Sequence, residues 1–413
     1  MPFYGRHLYS LKRIIGVIHK LNTVGEFTVL ITMSDSLKEI VEKGELTKNY
    51  YNPEGFFQRV IFLVFSEEDQ LKLEASAAVS GALCEFILVP VPKHFFIRML
   101  GWRRLILKFW AKKHIDKIPR VDMVRSYGLH INSYFGTLIA KKQSVPHVIS
   151  LHTNPRENLK MQIEDNPFKV IEIVKLLALR SVEKHSLVNA DQVICVYKSI
   201  CSYTSRWIDE CEVIYNSIPS IPEVKTNHSS FRRAVLVGRL IPGKNPANVI
   251  RALVYLPELR LDIIGDGPLR DELIGLAKDL RVIDRCNFIQ SVANENLRRN
   301  LHTYDFAVSV NFYGGVSKVV LEYMASKIPV ISTFRNDGKL PEILDSSCIL
   351  TLDDEKSWVE AIQKLGISES FRINLSNEAH QKYLTSGAAC SEKTLASLYK
   401  QIVIKGQGYD KRN

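Results

Sequence analysis

The sequence predicts an α/β protein built from two Rossmann-like domains that face each other across a cleft. Three observations predict this class. The chain has 413 residues, which is too long for one hydrophobic core. Short β-branched runs alternate with longer stretches of helical spacing, the pattern of a parallel sheet with helices on both faces. A stretch rich in proline and polar residues, 216–233, interrupts this alternation once and indicates an interdomain connection.

The first predicted domain, residues 1–220, is one of the two Rossmann-like domains that border the cleft. Its six predicted strands are Phe27–Met33, Val60–Phe65, Phe86–Val91, Val121–Ser126, His147–Leu151 and Gln192–Tyr197. A stretch with helical spacing, Leu8–Leu21, precedes them all. Either the first strand of this domain is missing or the domain is atypical.

The second predicted domain, residues 221–390, repeats the alternation. Its predicted strands are Ala234–Val237, Leu261–Ile264, Asn287–Ile289, Phe306–Val310 and Pro329–Thr333. Residues 391–413 contain an amphipathic stretch, Ser391–Lys405, which predicts a closing helix that packs back on the first domain with Ser391 as its cap. Because doubly wound sheets bind ligands at the carboxyl ends of their strands, we expect the function to lie there.

Composition limits the classes of function. The chain has 55 Lys and Arg against 44 Asp and Glu, a net charge of +11, which favours an acidic partner such as phosphate, nucleic acid or an anionic membrane. Charged residues make up 24% of the chain, and no low-complexity run occurs, which excludes disordered and fibrous classes. Seven scattered cysteines without zinc-site spacing favour a reduced, cytoplasmic chain with no metal. We find no secretory signal pattern and no uninterrupted apolar run long enough to span a membrane.

The strongest candidate site is the segment 308–325, where a buried strand is followed by a glycine pair and a helix that begins near Val316. Unpaired N–H groups at a helix N-terminus bind phosphate well. The residues expected at this terminus are Gly314, Gly315, Val316, Ser317 and Lys318. Glu322 lies two turns further on, and its carboxylate can accept hydrogen bonds from a ribose diol. The alternative is an ordinary glycine turn followed by a solvated Glu322.

A second candidate is the loop after the first strand of the second domain, which contains Gly238, Arg239 and Lys244. Two cations at a strand end can neutralise a diphosphate. Taken alone, this pattern is better explained by a surface loop with two solvated cations. The expected phosphate site in the same domain, at the helix that begins near Val316, makes diphosphate binding by the loop the favoured interpretation. The Gly-Asp-Gly-Pro turn, 265–268, is neither a dinucleotide fingerprint nor a P-loop, and it predicts a strand-to-helix turn.

The first domain offers His152, which ends a predicted strand and faces the cleft from the opposite side. A lone histidine is more often structural than functional, so only its location favours a role. We find no Asp-x-Asp, His-Glu-x-x-His or Gly-x-Ser-x-Gly motif, so metal catalysis and serine hydrolysis gain no support.

Taken together, these motifs resemble the retaining GT-B glycosyltransferases of family 4, the glycosyl transferases group 1, most strongly over residues 234–343. The family's Gly-Arg-Leu-x-x-x-Lys and Gly-x-Gly-Pro elements match residues 238–244 and 265–268. The family also has a signature of two glutamates separated by seven residues. In this chain the second glutamate is Glu322, and Gly314 stands in place of the first. Further likenesses are Gly338 with Pro341, Glu342 and Ile343, and in the first domain Val124–Gly128, Ser150–Pro155, Glu183, Ala190 with Asp191, and Ile214–Ile218.

The resemblance implies transfer of a sugar, with retention, from a nucleotide diphosphate donor of the UDP or GDP type to an acceptor hydroxyl, without a metal or cofactor. The resemblance also implies that the first domain, residues 1–220, binds the acceptor and that the second, residues 221–390, binds the nucleotide sugar. The acceptor would be a saccharide or a lipid-linked saccharide in cell-envelope polysaccharide or glycolipid synthesis. Arg239, Lys244 and His152 would be catalytic, with His152 touching the donor sugar from the acceptor side. Glu322 would bind the ribose, and Val292 would meet the base through its backbone.

Two alternatives stay open at this point. Because Gly314 replaces the glutamate that lies beside the donor sugar in the family, the chain could be a nucleotide-sugar-binding protein of the same fold without transfer activity. A less favoured alternative is an epimerase or a phosphorylase of similar architecture, although we find no lysine that would hold pyridoxal phosphate.

The segment Lys93–Arg120 carries nine cations and one acid, Asp116, interleaved with aromatic residues. This composition suits a helix on an anionic membrane surface, and hence a cytoplasmic protein peripheral to the inner face of the membrane. An equal alternative is a helix whose aromatic face packs in the first domain and whose bases are solvated. Nucleic acid is not an expected partner, because no nucleic-acid-binding motif accompanies the charge.

Overall fold

The computed structural model describes residues 26–33, 49–65, 80–89, 103–155, 180–218, 231–312, 316–334 and 342–410. Three features of the sequence analysis lie outside the described residues: the helix predicted over Leu8–Leu21, the glycines Gly314 and Gly315, and most of the interdomain connection.

The first domain contains a seven-stranded parallel sheet in the order β3-β2-β1-β4-β5-β6-β7. Its strands are β1 Thr28–Met33, β2 Arg59–Val64, β3 Leu83–Leu88, β4 Met123–Tyr127, β5 His147–Leu151, β6 Gln192–Cys195 and β7 Glu212–Val213. Its helices are α1 Arg103–Ile115, α2 Ile131–Gln143 and α3 Lys198–Thr204, with residues 180–188 also helical. This strand order is that of a doubly wound sheet, and the direction of the order reverses between β1 and β4.

The second domain contains a six-stranded parallel sheet in the order β10-β9-β8-β11-β12-β13. Its strands are β8 Arg233–Val237, β9 Arg260–Ile264, β10 Cys286–Ile289, β11 Phe306–Ser309, β12 Val330–Thr333 and β13 Ile349–Thr351. Its helices are α4 Ala247–Ala252, α5 Arg270–Asp279, α6 Asn294–Asn300, α7 Lys318–Ala325, α8 Glu355–Gly366 and α9 Glu369–Thr385. The predicted fold class, two Rossmann-like domains, is confirmed.

The strands formed where the sequence predicts them because parallel strands covered on both faces are continuously apolar. All six residues of β1 are buried. Strands β7 and β13 were not predicted, because they have two and three residues and are too short for a pattern. The third strand was predicted over Phe86–Val91, whereas β3 begins at Leu83 and ends at Leu88.

The last helix, α10, spans Ser391–Asp410 and packs against the first domain. Tyr399 and Val403 are buried in the same apolar cluster as Val29 and Phe57. Ser391 is not the cap that the sequence predicted. Its backbone is already helical (φ −53°, ψ −42°), and its hydroxyl donates to the carbonyl of Ala388 at 2.8 Å.

Candidate functional site

The loop after β8 is held in place by the turn after β9. The Leu240 N–H donates to the Asp266 carbonyl at 2.9 Å, and the Gly238 N–H donates to the Ile264 carbonyl at 3.0 Å. Gly265 has a φ of +157°, and a Cβ there would lie 1.9 Å from the Gly238 carbonyl oxygen. Only glycine fits so close an approach. The Gly-Asp-Gly-Pro turn therefore fixes the path of the backbone that carries Arg239.

This loop borders an open pocket of about 330 Å³ at the carboxyl ends of β8 and β11. The pocket is lined by Gly238, Arg239 and Lys244 of the loop after β8 and by Ser317 at the start of α7. The two cations of the loop and the N-terminus of this helix therefore lie in the same pocket. Tyr323 lines the same pocket, and its hydroxyl oxygen accepts the Val237 N–H at 3.0 Å. The pocket therefore combines positive charge with a helix N-terminus, an arrangement suited to a phosphate ligand.

Helix α7 begins at Lys318, two residues later than the predicted start at Val316. Ser317 is the N-cap, and its hydroxyl oxygen accepts the Val320 N–H at 3.4 Å. Val316 is buried at the end of the preceding loop. An N-cap serine satisfies one of the N–H groups that a helix N-terminus leaves without an intrahelical partner.

Glu322 is 1% exposed and does not line the pocket. Burial raises the pKa of this carboxyl, while the charges of Lys318 and Arg298 lower it. One oxygen, Oε1, lies 3.9 Å from the Arg298 guanidinium and has no hydrogen-bond partner. Val292, the residue expected at the base, is partly buried against the apolar cluster that includes α7.

On the first domain, His152 follows β5 and stacks on Tyr127 with ring centroids 5.6 Å apart. Burial and the charge of Arg125 lower the pKa of His152 to about 4, so the imidazole is neutral at pH 7. Lys318 of the second domain also lowers this pKa, and its Nζ lies 5.7 Å from the ring centre of Tyr50, which stacks on Tyr127. Its Nε2 is buried and has no hydrogen-bond partner.

Contacts between the domains converge on Glu342. This carboxylate accepts the Lys198 N–H at 2.9 Å, the Ser199 N–H at 3.4 Å and the Tyr215 hydroxyl at 2.6 Å. All three donors belong to the first domain. The family resemblance drew attention to Glu342 as part of a second-domain motif, and the structure makes it a contact between the domains.

Two other residues of the resemblance have local structural partners. Glu183 is buried and accepts the Tyr203 hydroxyl at 2.5 Å. Asp191 accepts the His147 N–H at 2.7 Å and so ties the start of β5 to the loop before β6. These contacts account for both acids without a ligand.

The described part of the basic segment forms α1 and a short extension from it. Leu107, Ala111, Ile115 and Ile118 are buried, whereas Phe109 is 72% exposed. The basic residues Lys108, Lys112, Lys113, Lys117 and Arg120 are exposed. The helix therefore packs its aliphatic face in the domain and presents its basic residues and Phe109 outwards, while contact of this face with a membrane stays a prediction. Among the described residues, none of the helices has the length and apolar content needed to span a membrane.

Three of the scattered cysteines come together in space. The Sγ atoms of Cys195, Cys201 and Cys211 all lie within 4.8 Å of one another, beside an apolar cluster that includes Trp207. Burial raises the pKa of the Cys201 thiol to about 12. Because thiolates are the metal-binding form, this environment favours packing of neutral thiols.

Two models of known protein families match this chain and together span residues 58–382. The family model described as Glycosyltransferase Family 4 matches residues 58–220, and the model described as Glycosyl transferases group 1 matches residues 218–382. The chain belongs to the group 1 glycosyltransferases. Its predicted family membership is confirmed, while retention at the anomeric carbon stays a prediction.

Two curated group 1 relatives are informative. The chain is 27% identical over 225 residues to the lipopolysaccharide core biosynthesis glycosyltransferase LpsE of Rhizobium meliloti, a match covering 52% of this chain and 64% of LpsE. It is also 27% identical over 177 residues to an N-acetylgalactosaminyltransferase of Campylobacter jejuni that acts on a diphospho-undecaprenol-linked saccharide, a match covering 41% of this chain and 48% of that protein. The matches thus span less than two thirds of these relatives.

Solved structures share the whole architecture. Sucrose-phosphate synthase from Thermosynechococcus elongatus superposes with a TM-score of 0.66 at 15% identity, covering 92% of this chain and 100% of that one. Anabaena HepE, solved in complex with UDP, gives a TM-score of 0.66 at 13% identity, covering 91% of this chain and 100% of that one. WaaG, involved in lipopolysaccharide biosynthesis, gives 0.63 at 14% identity, covering 90% and 99%. These likenesses confirm the GT-B fold.

Proposed function

We propose that this group 1 glycosyltransferase moves a sugar, with retention, from a nucleotide diphosphate donor of the UDP or GDP type to a hydroxyl of a saccharide or lipid-linked acceptor. The observation that carries the proposal is the pocket in which Arg239, Lys244 and Ser317 meet. The names of the two curated relatives favour lipopolysaccharide or glycolipid synthesis as the setting. A cytoplasmic location at the inner face of the membrane fits such acceptors and the exposed basic face of α1.

In this proposal the donor diphosphate lies between Arg239, Lys244 and the N-terminus of α7. The bond from the anomeric carbon to the diphosphate breaks, and negative charge develops on the leaving oxygen. Preorganised cations and N–H groups stabilise that charge without needing a metal or another cofactor. The acceptor oxygen attacks the same face of the sugar, and its proton passes to the leaving phosphate. Among the described residues that line this pocket, none is a carboxylate that would serve as a nucleophile.

His152 has a different role in this mechanism. Because its pKa is about 4, the imidazole is neutral at pH 7 and cannot act there as a general acid. Its unpartnered Nε2 is available to a hydroxyl of the donor sugar. Glu322 would reach the ribose only after its side chain turns from the buried position near Arg298 towards the pocket.

The test is thermal stabilisation by UDP, GDP, ADP and their common sugar conjugates. A ligand at a hundredfold its Kd stabilises the folded state by about 2.7 kcal/mol. Lys244→Ala removes one charged contact, and we expect about tenfold to hundredfold weaker binding of the responding nucleotide. Lys278→Ala, an exposed lysine of α5, is the matched control and should bind as the wild type does. A wild-type protein that responds to no nucleotide would refute the proposal.

The second candidate function is nucleotide-sugar binding without transfer, which the glycine at position 314 favours. Release of free nucleotide diphosphate from the responding nucleotide sugar distinguishes the two. Slow release that disappears in Lys244→Ala supports transfer chemistry. Stabilisation by the nucleotide sugar with no release, in the presence of a membrane extract as acceptor source, supports the binding protein.

A further inference from the structure

The first domain contains a second pocket, distinct from the one that holds Arg239 and Lys244. It is a partly open pocket of about 530 Å³ at the carboxyl ends of β4, β5 and β6, and residues of the first turns of α10 line one side of it. Arg125, Tyr127 and His152 line it from the sheet, and Glu392 lines it from α10. This is the side of the cleft at which the proposed function expects the acceptor.

Arg125 is the unusual residue of this pocket. It lies in the middle of the buried strand β4, and it is 4% exposed. Its guanidinium carbon lies 4.3 Å from the centre of the Tyr127 ring and 5.0 Å from that of Tyr399. One nitrogen, Nη2, donates a long hydrogen bond of 3.4 Å to the Ser150 hydroxyl. The other two, Nε and Nη1, are buried and have no hydrogen-bond partner.

Three neighbouring polar atoms share this condition. The hydroxyls of Tyr127 and Tyr399 and the Nε2 of His152 are also buried without a partner. A buried polar group that forms no hydrogen bond destabilises the folded state, and an unpaired buried charge does so more strongly. Native proteins rarely leave such groups unsatisfied. Four of the five unpartnered atoms belong to Arg125, Tyr127 and His152, which line the pocket, and they therefore indicate a site whose polar partner arrives with a ligand.

The donor set identifies the chemistry of that partner. A guanidinium offers parallel N–H donors that match the oxygens of a phosphate or carboxylate. Burial raises the pKa of Tyr127 well above its usual value, so its hydroxyl keeps its proton and can donate. Arg125 and Lys318 both depress the pKa of His152, which indicates positive potential on this side of the cleft.

We propose that Arg125 binds an oxyanion, a phosphate or carboxylate group, carried by the acceptor of this enzyme. That the ligand is the acceptor rests on the proposed function, whereas the oxyanion is inferred from the pocket alone. The anion would lie in the first-domain pocket against the guanidinium, with Tyr127 and His152 beside it. The rest of the acceptor would extend past His152 towards Lys318 and the pocket of the second domain.

Glu392 limits the arrangement, because it is a carboxylate in the same lining. Its Oε1 accepts the Glu54 N–H at 3.2 Å, and it makes no ion pair with Arg125. A bound oxyanion would be repelled by this charge. We therefore expect Glu392→Gln to bind oxyanions more tightly than the wild type does.

The experiment measures thermal stabilisation by four probes at constant ionic strength: inorganic phosphate, glucose 6-phosphate, glucuronate and glucose. We expect the charged probes to stabilise the protein and glucose to have no effect. A sugar phosphate at least tenfold tighter than inorganic phosphate supports an acceptor-borne group. Tighter binding of inorganic phosphate would overturn the acceptor assignment and identify a free phosphate site.

Arg125→Met tests the residue itself. The variant removes an unpaired buried charge and keeps an apolar stem between the two rings, so we expect its ligand-free melting temperature to stay close to that of the wild type. Stabilisation by the charged probes should weaken at least tenfold, while stabilisation by the responding nucleotide is retained. Equal stabilisation of wild type and Arg125→Met by the probes would overturn the inference.

A measurement on the wild type makes the test independent of how the variant folds. Bound phosphate would offset the charge of Arg125, so the pKa of His152, followed by NMR of its ring protons, should rise from about 4. No change of this pKa at saturating probe would overturn the inference. A protein that responds to a nucleotide but to no oxyanion also overturns it and leaves the proposed function intact. A protein that responds to oxyanions alone keeps the anion pocket and removes the proposed function.

Discussion

Removing the Glu342 carboxylate should loosen the two domains. Glu342→Ala deletes the acceptor of two short hydrogen bonds, from the Lys198 N–H at 2.9 Å and from the Tyr215 hydroxyl at 2.6 Å, and of a longer one from Ser199. A hydrogen bond to a charged group contributes about 1.5–3 kcal/mol. Because the site is partly exposed, we take the lower value for the two short bonds, about 3 kcal/mol in total, which is roughly a 150-fold change in an equilibrium constant.

Hydrogen exchange is the assay, since the Lys198 amide is one of the donors. In Glu342→Ala this amide should exchange up to about 150-fold faster, and small-angle scattering should show a larger radius of gyration. Glu378→Ala, an exposed acid within α9, is the matched control and should change neither quantity. An exchange rate within about threefold of the wild type would refute the reasoning, because it would mean that Glu342 contributes nothing to the contact between the domains.

Three further changes test the local arguments. Gly265→Ala should destabilise the fold by about 3 kcal/mol in urea unfolding and weaken nucleotide binding, because its Cβ would clash with the Gly238 carbonyl. The control is Gly275→Ala in α5, where a Cβ contacts nothing, and it should be neutral or stabilising in the same assay. Burial lowers the pKa of His147 to about 3 and that of His152 to about 4, so below pH 6.5 the unfolded chain binds more protons than the folded chain does. The unfolding free energy should therefore decrease as the pH is lowered, by up to about 1.4 kcal/mol per pH unit for each histidine. His152→Asn should lessen that slope between pH 6.5 and 4.5, and an unchanged slope would contradict the assignment. Phe109→Asp should weaken sedimentation with anionic vesicles about tenfold, and equal binding of the wild type to neutral vesicles would argue against the basic face of α1 as a membrane surface.

Most of the fold was predictable from the sequence, because buried parallel strands are apolar along their whole length. β5, for example, lies over His147–Leu151, as predicted. The errors fall where a pattern has too few residues, as in β7, or where capping depends on backbone geometry. Ser391 has the right residue type for a cap, but the helical backbone of Ser391 itself puts it inside the helix.

The candidate site was predictable only in part. Arg239, Lys244 and Ser317 lie in motifs that sequence alone can recognise, and the structure brings them to one pocket. Arg125 lies in a stretch that the family resemblance includes, yet nothing along the chain shows that it has no anionic partner. The available signal was a cation in the interior of a predicted strand. Glu342 could not be assigned because its donors are more than a hundred residues away.

The position of α10 has a consequence for how the protein is made. Tyr399 and Val403 complete an apolar cluster with β1 and β2, yet they leave the ribosome only after the whole second domain. Part of the apolar core of the first domain and its Arg125 pocket therefore stay exposed to solvent while about 170 further residues are synthesised. A stalled chain that ends before residue 391 would hold a folded second domain attached to an incomplete first one, and such an intermediate is a natural substrate for chaperones that bind exposed apolar surface.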